Sequence, residues 1–148
     1  MKIFIGADHR GFDLKDKIKK YLDKTGHTYV DVGDDHRDPE DDFPQFAGRC
    51  VMAMLGSEEK SPMGVLICGS GQGMCMAANR FKGIRAALGH SPEAARSARN
   101  DDDSNVLCLP AEMIETGEWE KILGVWLDTP YAAAPRFNRR IKEMDQLG

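Results

Sequence analysis

MGVLICGSGQGMCMAANRF, residues 63–81, decides the reading of the fold. Residues 63–68 are apolar without a break, as in a central parallel strand buried on both faces. Gly69, Gly71 and Gly73 follow at once, and a helical pattern starts behind them. Strand, glycine turn and helix in that order open a βα unit. The turn matches the dinucleotide fingerprint G-x-G-x-x-G only loosely, because its third glycine is misplaced and it follows the third strand. Its physics is clearer. Glycines let the backbone approach a ligand, and amides at the helix start face whatever anion or oxyanion sits there. Cys68 lies at the base of this turn. A thiol near a helix amino end has its thiolate favoured and can act as base or nucleophile near neutral pH. A free cysteine is also a common packing residue, so position alone leaves both readings open.

Working outward, the same alternation recurs. Strands are expected over 2–8, 27–33, 63–68, 83–90 and 105–110. Helices are expected over 11–26, 43–58, within 69–81, over 91–102, 118–130 and 135–147. In the first helix Phe12, Leu14, Ile18, Tyr21 and Leu22 share one face, lysines and aspartates cover the other, and Gly26 is the stop. Ser91 and Pro92 form a cap and a first helical position. Residues 34–42, DDHRDPEDD, read as a solvated acidic loop. The fold class expected is α/β: a Rossmann-like three-layer sandwich, a five-stranded parallel sheet with helices on both faces. All 148 residues read as a single domain with no linker or repeat.

The net charge of −4 gives no general attraction to nucleic acid or to an anionic membrane surface. An anionic ligand therefore needs a local positive cluster. No apolar run reaches the roughly 18 residues of a membrane span. The start, MKIFIGAD, reads as a strand and not as a signal peptide, so a cytoplasmic location is expected. Cys50, Cys68, Cys75 and Cys108 then read as reduced thiols, and their spacing fits no usual zinc pattern. Packing is the favoured reading for Cys50, Cys75 and Cys108.

Ligands of such sheets bind outside the carboxyl ends of the strands. That rule points to residues 7–10, to 68–74, and to the 101–103 region before the fifth strand. His9 stands beside Asp8, a carboxylate able to orient it. Arg136 and Arg140 are four apart and share a face of the last helix, where a pair of arginines can clamp a phosphate or be merely solvated.

Taken together, DHRGFDLK (8–15), DFPQFA (42–47), GVLICGSGQGMCMAANRFKGIRAAL (64–88), NVLCLP (105–110) and PRFNRRI (135–141) resemble ribose-5-phosphate isomerase type B, a family that includes the galactose-6-phosphate isomerase subunits. The match runs nearly end to end. The resemblance implies an aldose–ketose isomerase of a phosphorylated sugar that needs no metal and no cofactor. It also implies a homodimer or dimer of dimers with the active site at the subunit interface. Cys68 falls on the family's base, which passes a proton between C2 and C1 through an enediolate; members without the cysteine use a glutamate at the position of Met74. Ser70 matches a hydroxyl that assists proton movement between O1 and O2. The amides of Gly69, Gly71 and Gly73 match the oxyanion contacts. Asp8 matches a sugar-hydroxyl ligand, and His9, Arg136 and Arg140 match phosphate contacts.

Five positions depart from the family pattern. Asp101 and Asp102 stand where it reads His-Asn, the histidine opening the furanose ring from across the dimer. An ordinary aspartate is ionised at neutral pH and suits a base better than an acid. Glu112 replaces an arginine that reaches the phosphate, which should weaken or redirect phosphate binding. Phe137 replaces a histidine and Phe43 a tyrosine. Ribose 5-phosphate is the first expected substrate. A six-carbon sugar phosphate is the second, and a non-catalytic sugar-phosphate or nucleotide-binding module the third.

Overall fold

The computed structural model describes all residues, 1–148. Eleven elements alternate as expected. They are β1 (Lys2–Ala7), α1 (Phe12–Lys24), β2 (Thr28–Asp31), α2 (Phe43–Leu55), β3 (Met63–Cys68), α3 (Gln72–Ala78), β4 (Ala86–Leu88), α4 (Pro92–Asn100), β5 (Val106–Pro110), α5 (Glu118–Asp128) and α6 (Pro135–Asp145). The five strands are all parallel, in the order β2-β1-β3-β5-β4.

The period of two along each strand sorts the core into two layers. Ile3, Ile5, Val65, Ile67, Leu107 and Leu109 face one way, against α1 and α5. Phe4, Leu66, Cys68, Val106 and Cys108 face the other way, against α2 and α3. The sheet is therefore dry on both sides, which explains the unbroken apolar run of β3.

The boundaries follow local chemistry. Gly26, at φ +78°, lies just past the α1 C-cap, Thr25. The Ser91 hydroxyl accepts the Ala94 amide at 3.1 Å and starts α4. β2 is shorter than expected because the Asp31 carboxylate takes the Gly33 amide at 2.9 Å and turns the chain. β4 is also short. Gly83, at φ +83°, precedes it in a turn, and only residues 86–88 pair with β5. No helix is long and apolar enough to cross a membrane.

Candidate active site

The carboxyl edge of the sheet is set by register. Ala7 pairs with Ile67 and Cys68 with Pro110, so Asp8 emerges beside Cys68. The Asp8 amide donates to the Ile67 carbonyl at 3.2 Å, and the Ala111 amide to the Cys68 carbonyl at 2.9 Å. These bonds carry the sheet one residue past its strands and hold the site on a rigid frame.

Cys68 is 5% exposed, and its Sγ accepts the Gly71 amide at 3.1 Å. Gly71 has φ +73°, and a Cβ there would lie 2.6 Å from Leu88 Cδ1. Glycine is required both for the backbone conformation and for space. The Ser70 hydroxyl accepts the Gln72 amide at 3.3 Å. The amides of Gly69, Ser70, Gly73 and Met74 donate to no acceptor within the chain. The loop thus gives one amide to the sulfur and leaves four for a ligand. A Cβ on Gly73 would meet the Phe43 ring at 2.7 Å, so that ring lies directly on the loop.

Asp8 is buried, and its carboxylate accepts the Arg10 and Gly11 amides at 3.0 and 3.1 Å. Burial raises its pKa above the ordinary carboxylate value, with the two amides opposing. His9 Nδ1 lies 2.6 Å from Asp41 Oδ1, and this bond raises the imidazole above its ordinary range. Asp8, His9 and Asp41 present three donor atoms within 4.8 Å of one another. Each is already engaged: Asp8 by two amides, His9 and Asp41 by each other. The trio fits a hydrogen-bonded group better than a vacant metal site.

Two readings of the sequence are corrected here. Asp41, within the acidic stretch taken as solvated, has a side chain only 8% exposed and belongs to the site. Its immersion comes from a contact 32 residues away, which local composition does not report. Glu112 is no bare negative charge either. Its Oε1 accepts Arg10 Nε at 2.9 Å, and the pair lies over Gly69.

The 101–103 region, expected among the strand carboxyl ends, follows α4 and precedes β5, and so sits at the amino edge instead. The length of β5, roughly 16 Å at about 3.3 Å per residue, separates the two edges. Asp103 there is structural: it has φ +47° and its carboxylate bridges Arg85 and Arg99 at 2.9 Å each. The Asp101 carboxylate meets only the Asn100 side-chain amide, at 2.7 Å. The segment leading to α6 is tied to the same edge, the Ala132 amide donating to the Asn100 carbonyl. Arg136 and Arg140 are exposed and make no ion pair, although the Arg136 guanidinium lies 4.6 Å from the Phe137 ring centre. One chain therefore assembles Asp8, His9, Cys68, Gly69, Ser70, Gly71 and Gly73, and leaves Asp101, Asp102, Arg136 and Arg140 apart. A cleft of about 780 Å³ is also at the amino edge, between the end of α6 and residues 79–87.

The other cysteines pack, as expected. Burial pushes the Cys50 thiol up to about 12. Burial raises the Cys108 thiol well above its ordinary value, and its neighbour Cys75 is lowered by Cys108.

Comparison with known proteins bears directly on this arrangement. The structure matches a ribose 5-phosphate isomerase from Thermotoga maritima with a TM-score of 0.91 and 39% identity, covering 99% of this chain and 98% of that one. It matches ribose-5-phosphate isomerase B from Mycoplasma genitalium, solved with bound ribulose 5-phosphate, at TM-score 0.91 and 38% identity over 98% and 94%. Ribose-5-phosphate isomerase B of Mycolicibacterium paratuberculosis is 34% identical over 142 residues, 95% of this chain and 87% of the relative. The Ribose/Galactose Isomerase family model matches residues 3–144. With that span and those identities, the chain belongs to the ribose/galactose isomerase family.

Proposed function

We propose that this chain, as a single isomerase domain, interconverts ribose 5-phosphate and ribulose 5-phosphate with Cys68 as the base. The observation that carries the reading is Cys68 itself: its sulfur ends β3 beside Asp8 and under a loop with four free amides. The bound ribulose 5-phosphate of the Mycoplasma genitalium relative supports the substrate.

Cys68, as thiolate, takes the C2 proton of the open-chain aldose. The C–H electron pair becomes the C1=C2 bond, and the carbonyl oxygen O1 takes the negative charge. The free amides of Gly69, Ser70 and Gly73 are donors for that oxygen, a preorganised stabilisation of developing charge. The thiol then returns its proton to C1, while Ser70 passes the O2 proton to O1, leaving a ketone at C2. Asp8 holds a sugar hydroxyl. His9, Arg136 and Arg140 hold the phosphate, Asp102 binds the sugar, and Asp101 serves ring opening as the base.

This reading needs a second copy of the chain, because Asp101, Asp102, Arg136 and Arg140 lie at the far edge. A homodimer or dimer of dimers brings them across. The sparse burial of α6, with Phe137 its one buried residue, supports such a partner. A cytoplasmic enzyme without metal or cofactor completes the proposal.

The test is conversion of ribose 5-phosphate with EDTA present, for the wild type and Cys68→Ala. Activity abolished by the substitution supports the reading; equal rates in both refute it. A six-carbon sugar phosphate is the second reading, favoured by Glu112 and by the Phe43 ring on Gly73. A substrate panel separates the two.

A further inference from the structure

Asp41 grips a single residue twice. Its Oδ1 accepts the His9 backbone amide at 3.1 Å and faces His9 Nδ1 at 2.6 Å. The loop is braced to hold it there. The Asp41 amide donates to the Asp38 carbonyl at 3.1 Å, and the Glu40 amide to Asp38 Oδ1 at 3.0 Å. Arg37 pairs with Asp13 of α1, and Arg49 of α2 with Asp34, tying the first half of the loop to both helices.

A carboxylate on Nδ1 fixes the tautomer and the plane of the ring. It leaves Nε2 as the ring nitrogen without a protein partner, on a side chain 29% exposed. The charged groups facing the ring are Asp41 from the loop before α2, Asp8 at the end of β1 and Arg10 in the turn before α1. Two anions favour the imidazolium and one cation opposes it.

We propose that Asp41 is a positioning residue of the sugar-phosphate site, orienting His9 through Nδ1 and keeping it a cationic Nε2 donor toward the substrate phosphate at neutral pH. This rests on the isomerase reading above only in making the phosphate that of the substrate.

The experiment uses the full chain as wild type, Asp41→Asn and Asp41→Glu. The His9 ring is titrated by ¹H–¹⁵N NMR, its signal assigned with His9→Gln. Steady-state constants for ribose 5-phosphate are measured at acid and alkaline pH. In the wild type His9 is expected to titrate above the usual value of about 6.5, and in Asp41→Asn about one unit lower. The KM of Asp41→Asn is then expected to rise up to about tenfold near pH 8 and to approach wild type near pH 6, with kcat within about twofold. Asp41→Glu restores most of the difference.

An unchanged His9 midpoint in Asp41→Asn overturns the proposal. So does a KM raised equally at both pH values, since a disturbed loop acts without regard to charge. If the wild type does not turn over ribose 5-phosphate, the isomerase reading fails separately. The NMR titration, repeated with inorganic phosphate, then decides the role of Asp41: weaker phosphate binding by Asp41→Asn at alkaline pH only upholds it, and equal binding refutes it.

Discussion

Cys68 Sγ has one donor, the Gly71 amide, and everything that places that donor passes through a residue without a side chain. Gly71→Ala adds left-handed strain and a clash with Leu88, so it is expected to cost about 1–3 kcal/mol and most of the turnover. Gly48→Ala is the control. It lies in α2 with nothing near its Cβ, and is expected to stabilise by up to about 1 kcal/mol and spare activity. Urea unfolding with parallel rate measurements separates the two. Glu112→Gln frees Arg10 at the mouth of the same loop. Both partners are about half exposed, so stability should change by less than about 0.5 kcal/mol. The KM for ribose 5-phosphate is expected to fall, and a raised KM would contradict a cation released toward the phosphate. At this scale Asp8 and Cys68 were legible because strand ends are legible. Asp41 was not, since its composition is that of a solvated loop. Nor was the Arg10–Glu112 pair, whose partners lie 102 positions apart.

Among the elements, α1 and β2 are joined by one buried charge. Lys15 is 1% exposed, and its Nζ donates to Asp31 Oδ1 at 3.0 Å and to the Asp34 carbonyl at 2.8 Å. Lys19 reaches the other Asp31 oxygen at 2.9 Å. Burial alone would raise the Asp31 carboxyl; Lys19, Lys15 and the Gly33 amide overcome it and leave the pKa lowered. A carboxylate held low contributes stability that is complete above its unfolded pKa and lost as pH falls through the folded value. Lys15→Met is expected to cost about 3 kcal/mol at neutral pH, the low end for a broken buried pair because Lys19 remains. The gap to wild type should narrow below about pH 4 in denaturant titrations. The helix itself was readable from its apolar spacing, which sets Lys15 beside Ile18 and Leu22 on the buried face, but a lysine reads by its type as part of the polar cover. Only the return of the chain after β2 supplies the two oxygens that cover it.

For the whole molecule, alternation of strands and helices was enough to fix the layers, while the strand order, with β5 inside and β4 at the edge, depends on long-range pairing. The same limit misplaced the 101–103 region among the strand carboxyl ends. The direction of α4 carries Asp101 to the edge opposite Cys68, and only the resemblance, which implies a ring-opening residue from across the dimer, pointed to that separation. If a second copy closes the site, inactive Cys68→Ala and inactive Asp101→Asn chains should complement when unfolded and refolded together. Random pairing in a two-fold dimer restores about a quarter of wild-type activity, one intact site in half of the dimers. No recovery would place the whole site in one chain. The central claim, proton transfer by Cys68, is tested most directly by isomerising ribose 5-phosphate in D₂O and following deuterium into C1 of the ribulose 5-phosphate formed. The account predicts deuterium at C1 with the wild type wherever the Cys68 thiol exchanges with solvent before it returns its proton, and no product with Cys68→Ala. Product formed as fast by Cys68→Ala would contradict it.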